Sequence, residues 1–413
     1  MRSLAMGLTC LHCGARGGLE PLFNGCSACA REGFLAGHTV TYDEEAAAAW
    51  ARRMPDPGPG IWRYVPVLPV QAAEHRLSLG EGGTPLVELP RLAGRLSLRR
   101  LWVKDEGRNP TWSWKDRLAA VGVGMGRALG AKTLAASSSG NHGAATAAYA
   151  AAADLPCVIL TFPEAPAALQ RQMQAYGARV IAVPREARWR LLRDRIRLRG
   201  WFPASSPAPI PVGNPYGVEG YKTIAYELAA QMGGRVPDTV VVPTGYGEGL
   251  SGIWKGYAEL HRWGVLPGYP RMVAAEPAAR APLHRALTMG VPIATVEARP
   301  TVALSIGATT GSLRARLAVE ESGGSAVTVD DASILEAQQV LASEGLFVEP
   351  SSAAALAALI AACRDPQSEI GPEVVIIATS SGLKDMEGAS RWLGPVPVIE
   401  PTWEALERVL GPV

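Results

Sequence analysis

Lys115 lies near the end of the run Lys104-Asp105-Glu106-Gly107-Arg108-Asn109-Pro110-Thr111-Trp112-Ser113-Trp114-Lys115-Asp116-Arg117 and leads into an apolar stretch, residues 118–123. The run follows a short apolar segment, Leu101-Trp102-Val103, that reads as a strand, and it turns at Asn109-Pro110. An ammonium at the mouth of a buried helix is costly to desolvate unless it is paired or its charge is removed. Imine formation with an aldehyde cofactor changes its chemistry altogether. The competing reading is a surface Lys115-Asp116 charge pair.

Three other segments end strand-like runs in small polar residues. Thr133-Leu134-Ala135-Ala136 is followed by Ser137-Ser138-Ser139-Gly140-Asn141-His142-Gly143. Hydroxyl residues with glycine at a helix entrance offer converging backbone N–H groups and suit a carboxylate, although the same residues are ordinary helix caps. Thr239-Val240-Val241-Val242 is followed by Pro243-Thr244-Gly245-Tyr246-Gly247-Glu248-Gly249-Leu250-Ser251-Gly252. Glycines at alternate positions let a backbone close on one phosphate, and the spacing is neither a dinucleotide fingerprint nor a triphosphate loop. Glu248 would repel a phosphate, so its side chain is expected to point away. Val374-Val375-Ile376-Ile377-Ala378 is followed by Thr379-Ser380-Ser381-Gly382-Leu383-Lys384-Asp385, whose hydroxyls suit a neutral ring nitrogen. An aldehyde, a phosphate, a ring hydroxyl and a ring nitrogen occur together in pyridoxal phosphate.

The elements that must position these residues alternate. Short apolar strands at 133–136, 157–160, 179–183, 239–242, 272–275 and 374–378 are separated by helices, the pattern of parallel sheets covered on both faces. Ligands bind at the carboxyl ends of such strands. The chain has 413 residues, 48% of them apolar, and a net charge of +2. That balance gives no reason to invoke nucleic acid or a membrane surface, and no apolar run approaches a spanning helix. The start has too short an apolar region for a secretory signal, so the cytoplasm is expected.

Residues 1–40 stand apart. Cys10-x-x-Cys13 and Cys26-x-x-Cys29 are two knuckles that suit a structural zinc ribbon. His12 is read as a spectator. Residues 41–79 read as an arm, with an Ala-rich helix and the run Pro55-Asp56-Pro57-Gly58-Pro59-Gly60. Residues 80–390 form the α/β body in two interleaved subdomains, and 391–413 a tail. The arginine-rich stretch 185–199 reads as a solvated helix face.

Gly80-Glu81-Gly82-Gly83-Thr84-Pro85-Leu86, the run 104–117, Ser138 to Gly143, Asn214-Pro215-Tyr216-Gly217-Val218-Glu219-Gly220-Tyr221-Lys222-Thr223, the 243–252 loop, Glu344-Gly345-Leu346-Phe347-Val348-Glu349-Pro350-Ser351-Ser352 and Gly382-Leu383-Lys384-Asp385 occur in this order. In these motifs the chain resembles the threonine synthase family of fold-type II pyridoxal-phosphate enzymes, tryptophan synthase β-like in architecture. The resemblance implies that Lys115 carries the cofactor as an imine and shuttles protons. Asn141 would bond the ring hydroxyl, and Gly245, Tyr246, Gly247, Glu248 and Gly249 would supply the phosphate cradle. Thr379 would face the ring nitrogen. Thr84, Ser138, Ser139, Gly140 and His142 would hold a small amino-acid substrate, with a loop hydrogen bond expected for His142 rather than catalysis. Relatives are often homodimers. The implied reaction converts O-phosphohomoserine and water to threonine and phosphate.

The chain departs from the family's Pro-Thr-Gly-Ser-Phe-Lys at two places, Trp112 for Gly and Trp114 for Phe. A lysine of the family falls at Leu169 and a basic residue at Gly217, with Arg171 and Arg108 as candidate substitutes. These departures keep open an ammonia-lyase of the serine or threonine deaminase type, or a β-replacement enzyme. A non-enzymatic metal or nucleic-acid binding protein is the alternative from another class.

Overall fold

The structure is a computed structural model that describes residues 2–20, 23–56, 58–207 and 212–411. Pro57 of the expected arm and residues 412–413 of the expected tail lie outside the described residues. The first unit is a three-stranded antiparallel sheet, β1 (Ala5–Cys10), β2 (Arg16–Gly17) and β3 (His38–Tyr42), in the order β2-β1-β3. Residues 61–70 of the expected arm are not free. Ile61, Trp62, Tyr64, Val65, Val67, Leu68 and Val70 are buried in the main core, because apolar side chains of this size gain more from burial than the segment loses by ordering.

Two further sheets form the body. The larger contains β4 (Leu86–Glu88), β5 (Arg100–Asp105), β10 (Thr239–Pro243), β11 (Arg271–Pro277), β12 (Ser325–Val329) and β13 (Glu373–Ala378), in the order β12-β11-β10-β13-β5-β4. The smaller contains β6 (Leu134–Ser137), β7 (Cys157–Thr161), β8 (Arg179–Ala182) and β9 (Phe202–Pro203), in the order β8-β7-β6-β9. Every pairing in the two sheets is parallel except β4 with β5. The fully buried, apolar strands β7, β10 and β13 explain why: each is covered by helices on both faces. The chain enters the larger sheet at β4 and β5, crosses to the smaller through the helix Lys115–Ala128, and returns at β10. No described helix is long and apolar enough to cross a membrane.

A buried ion network pins that crossing helix. Arg117 is fully buried; its Nε and Nη2 donate to Glu106 at 2.7 and 2.8 Å, and its Nη1 and Nη2 to Glu227 at 2.7 Å each. Lys104 Nζ donates to Glu227 at 2.7 Å and to the Thr84 carbonyl at 2.7 Å. Two cations thus meet two carboxylates, which offsets the desolvation of all four. Burial would raise the Glu227 carboxyl, but Arg117 and Lys104 hold it well below the usual carboxylate range. A second cluster docks the ribbon. Tyr42 Oη donates to Glu219 at 2.9 Å, and Lys255 Nζ reaches both Glu219 at 2.6 Å and the Val40 carbonyl at 2.6 Å.

Replacing Arg117 by Met is expected to cost about 3–5 kcal/mol in denaturant unfolding, because two buried carboxylates lose their partner. Glu227 has a depressed folded pKa, so its contribution is complete above the unfolded value of about 4.3 and lost as pH falls below it. Thermal melts should therefore show a loss of stability below about pH 4. A midpoint that is flat from neutral pH to about pH 3 contradicts this assignment.

Candidate active site

The register of β5 against β13 places Asp105 opposite Ala378, so the loops after the two strands lie side by side. The loop before Lys115 is laid across the end of β13. Trp114 N–H donates to the Thr379 carbonyl at 2.9 Å, Ser381 N–H and Ser380 Oγ donate to the Trp112 carbonyl at 3.1 and 3.0 Å, and Lys384 Nζ donates to the Thr111 carbonyl at 2.6 Å. Lys384 is thereby committed, as is Lys222, which pairs with Glu219 and Glu259. Lys115 is different. Among the described residues its Nζ has no hydrogen-bond partner, and it lies 5.4 Å from the ring centres of both Trp114 and Tyr221. Burial pushes its ammonium below the ordinary lysine value, with Glu248 and Glu349 opposing in part.

The helix Asn141–Ala152 brings the second loop to the same place. Asn141 Nδ2 donates to Glu349 Oε2 at 3.0 Å, while Asn141 Oδ1 and Glu349 Oε1 are both buried without a partner. His142 Nε2 lies 3.2 Å from the Ala204 carbonyl. Burial and the charge of Lys115 push the imidazole down to about 4, so it is neutral at pH 7, Nε2 donates and Nδ1 is the free acceptor. Ser138 Oγ accepts from Gly140 N–H at 3.3 Å and Gly143 N–H at 2.9 Å, which shapes the loop around the backbone at 138–140.

The glycine loop is closely packed from behind. Gly247 has φ +77°, and a Cβ there would sit 2.2 Å from the Ala315 Cβ; a Cβ on Gly249 would sit 2.2 Å from the Trp114 ring. Glycine is required at both places. The helix Glu248–Arg262 starts here, and its first backbone N–H groups have no partner within the helix. The Glu248 carboxylate comes 3.0 Å from the Cβ position of Gly213, which itself lies 3.7 Å from an Arg314 nitrogen. Thr379 Oγ1 lies 2.8 Å from Ser352 Oγ.

A lysine held short of its usual charge, an amide and a carboxylate with orphaned buried oxygens, a glycine cradle and a hydroxyl pair form a donor set that fits pyridoxal phosphate. Thr84 does not join it. Its Oγ1 donates to Glu106 at 2.6 Å and accepts from Arg117, so the hydroxyl belongs to the buried ion network and is closed to a substrate. Glu349 and Ser352 join the set without having been singled out from sequence. The available signal was a glutamate placed directly before Pro-Ser-Ser at the start of an apolar helix, Pro350–Arg364.

The two tryptophans separate. Trp114 is buried and packs against Tyr221, with ring centres 4.8 Å apart and planes tilted by 50°. Trp112 is 50% exposed and has φ +64°, a left-handed backbone that glycine adopts freely and tryptophan does not. Leu169 sits beside the 138–140 loop, its Cδ1 3.6 Å from the Cβ position of Gly140. Gly217 backs onto Leu118, where a Cβ would meet Cγ at 3.0 Å. Arg108 is paired with Asp105 at 2.9 Å on the surface, and Arg171 is exposed on its helix. The 185–199 stretch forms the helix Ala187–Arg199, but it is not wholly solvated: Arg188 is only 7% exposed, because its guanidinium stacks on Phe162 and Trp189.

In the ribbon, Cys10, Cys13, Cys26 and Cys29 bring their four Sγ atoms within 4.8 Å of one another. Cys10 and Cys29 are 3.7 Å apart, and Cys13 and Cys26 3.6 Å. Four thiolates about 2.3 Å from a zinc ion have edges of roughly this length. His12 Nδ1 lies 3.5 Å from Cys29 Sγ, outside the tetrahedron of thiolates.

Trp112→Gly is expected to leave stability unchanged or raise it by up to about 1 kcal/mol, since relief of the left-handed strain is partly offset by glycine entropy. Trp114→Ala should cost about 3–5 kcal/mol through loss of buried aromatic packing. Urea unfolding of both variants checks the contrast; equal losses would contradict it.

The family model described as pyridoxal-phosphate dependent enzyme matches residues 77–380. A threonine synthase of Methanosarcina acetivorans is 36% identical over 360 residues, covering 85% of this chain and 85% of that protein. A threonine synthase of Methanocaldococcus jannaschii is 34% identical over 411 residues, covering 97% and 98%. Among solved structures, maize serine racemase superposes with a TM-score of 0.65 at 22% identity, covering 79% of this chain and 94% of that one. A fungal L-serine ammonia-lyase from Rhizomucor miehei superposes at 0.63 with 20% identity, covering 75% and 98%. The motifs, the parallel α/β architecture and these similarities agree: the chain belongs to the threonine synthase family of pyridoxal-phosphate-dependent enzymes.

Proposed function

We propose that the protein is a threonine synthase that releases threonine and phosphate from O-phosphohomoserine and water. The observation that carries this is the end-to-end similarity to threonine synthases, together with an unpaired, charge-depressed lysine at the meeting point of three strand-end loops. Lys115 would hold the cofactor. Asn141, backed by Glu349, would face its ring hydroxyl; the backbone of Gly245, Tyr246, Gly247, Glu248 and Gly249 would take its phosphate; Thr379, set by Ser352, would face its ring nitrogen. Bound there, pyridoxal phosphate supplies an electron sink for negative charge at the substrate's α carbon.

The chain's own residues then do the following. Backbone N–H groups and hydroxyls at Ser138, Ser139 and Gly140 bind the substrate carboxylate at the start of the helix Asn141–Ala152, where the helix dipole favours an anion. The neutral His142 anchors that loop through Ala204 and adds no charge. With the substrate's amine in its place on the cofactor, Lys115 would stand as a free amine close to the α carbon. With its pKa lowered by burial it can take the α proton and return a proton to a neighbouring carbon as water adds. Trp114 and Tyr221 flank the amine and exclude water from it. The four ribbon cysteines would hold zinc with no open position, which gives the metal a structural role.

A second reading, an ammonia-lyase acting on serine or threonine, is favoured by the apolar Leu169 beside the carboxylate loop, at the position where the family carries a lysine. Purified holoenzyme given O-phosphohomoserine should release threonine and phosphate in equal amounts. Release of a 2-oxo acid and ammonia from serine or threonine, with O-phosphohomoserine inert, selects the second reading. Lys115→Ala should lower turnover by about 10³-fold or more and abolish the visible absorbance of the bound cofactor. Zinc-selective chelation should lower the thermal midpoint of the full chain, read with metal content by mass spectrometry. A midpoint unmoved by loss of bound zinc removes the structural role.

A further inference from the structure

The first turn of the helix Leu313–Glu321 stands between the ribbon and the glycine loop and touches both. On the loop side, the Ser312 hydroxyl donates to the Tyr246 carbonyl at 2.6 Å and accepts from Ala315 N–H at 3.3 Å. One side chain thus caps the helix and fixes the loop. The Gly247 backbone is in close contact with Ala315: a Cβ on that glycine would stand 2.2 Å from the Ala315 Cβ. A shift of residues 312–315 is passed directly to Tyr246 and Gly247, whose backbone would take the cofactor's phosphate.

On the ribbon side, Leu313 packs against the cluster of Cys10, Cys26, Cys29 and Ala36. Arg314, 6% exposed, donates from Nη2 to the His38 carbonyl at 3.0 Å. His38 pairs with Cys10 in the register of β1 against β3. Leu11 N–H donates to the Gly37 carbonyl at 3.0 Å, and Cys26 N–H to the Ala36 carbonyl at 2.8 Å. Residues 36–38 are thereby tied to both knuckles, and Arg314 holds the end of that segment. Among the described residues the knuckle-end cluster buries only Ala36 besides three of the cysteines. A unit with so small a core takes its order from the metal, so that metal binding there is folding free energy. When the knuckles lose their common centre, Arg314 and Leu313 lose the surface they rest on.

We propose that Ser312, Leu313, Arg314 and Ala315 are positioning residues for the phosphate cradle, through which zinc in the ribbon and the cofactor's phosphate strengthen each other's binding. The proposal deepens the reading of the glycine loop as the cradle and of the ribbon as a zinc site, and it rests on both. Such coupling is reciprocal: the factor by which zinc tightens the cofactor is the factor by which the cofactor tightens zinc. A ribbon that merely stabilised the fold would treat pyridoxal, which lacks the phosphate, in the same way as pyridoxal phosphate.

The test uses the full chain freed of cofactor, with zinc bound or removed by chelation, at a temperature where circular dichroism shows both forms folded. Pyridoxal phosphate and pyridoxal are titrated by imine absorbance. Zinc affinity is measured by chelator competition with and without pyridoxal phosphate. Removal of zinc is expected to weaken pyridoxal phosphate about tenfold and pyridoxal by less than about twofold, with the matching tenfold change in zinc affinity. In Arg314→Gln the zinc dependence of pyridoxal phosphate binding should fall to about twofold or less. Ser312→Ala, which removes one hydroxyl and leaves the apolar packing in place, should do the same and guards against a folding defect at the buried arginine. Undiminished zinc dependence in both variants overturns the proposal. So does a wild type in which zinc leaves pyridoxal phosphate affinity unchanged, or weakens both aldehydes equally when removed. A chain that takes up no zinc overturns the proposal together with the ribbon's reading, and one that forms no imine overturns it together with the cofactor's. Loss of coupling with zinc and imine both present overturns it alone.

Discussion

The guanidinium of Arg117 decides where Lys115 stands. Two residues apart on a helix, the side chains point about 200° away from one another. Arg117 is locked inwards by Glu106 and Glu227, with Lys104 and Thr84 completing the network. Lys115 therefore faces the other way, into the cleft, and cannot exchange roles with a neighbour by a small rotation. The same network joins β5, the 81–84 loop, the helix Lys115–Ala128 and the helix Val218–Gln231. Its stability matters to chemistry because a proton-transferring amine displaced by even an ångström loses much of its effect.

From that fixed point the site is assembled by sheet geometry. Parallel strands put all their carboxyl ends on one side, and the two sheets present those ends to a shared cleft. Loops that are far apart in sequence thus meet: 111–115 crosses 379–381, and 141 meets 349. The ribbon is coupled to the same frame. Arg314 donates to the His38 carbonyl at 3.0 Å, and its side chain lies beside Gly37 and Gly213, close to the carboxylate of Glu248 at the end of the glycine loop. A ribbon held closed by its thiolates braces the back of that loop rather than taking part in chemistry.

The strand-end loops were legible in sequence because the strands are short, apolar throughout and bounded by polar residues of distinctive type. The strands β6, β7, β10 and β13 fall within a residue or two of where the apolar runs place them. What escaped has physical reasons. Thr84 sits in a matching motif, but a hydroxyl's partner is set by tertiary contact, and Glu106 claims it. The packing of 61–70 was hidden behind a Pro/Gly run that signals a loop whichever side of it is buried. β4 and β12, partly exposed and short, lack the continuous apolar signature. Trp112 was visible as an oddity, but only the backbone shows why glycine is the comfortable residue there: φ is positive. Arg188 was hidden among seven arginines with nothing in its spacing to mark it as the buried one.

The buried cations of the chain differ in what they touch. Arg117, Lys104, Lys222 and Lys255 each touch carboxylates and serve as structural ties. Among the described residues Lys115 and Arg188 form no ion pair with a carboxylate, and both lie against aromatic rings. For Lys115 the consequence is a pKa held below the ordinary lysine value by burial, which disfavours the charged form. An anion arriving in the cleft changes this. A substrate carboxylate held at 138–140, as proposed, would favour the protonated form, and the amine's affinity for a proton would rise. Lys115 acting as the proposed base would then be stronger with substrate present than in the empty cleft. The cleft gains this without any acidic partner of its own in contact with the lysine; Glu248 and Glu349 act only at a distance. A carboxylate paired directly with Lys115 would have kept the ammonium charged and removed the base.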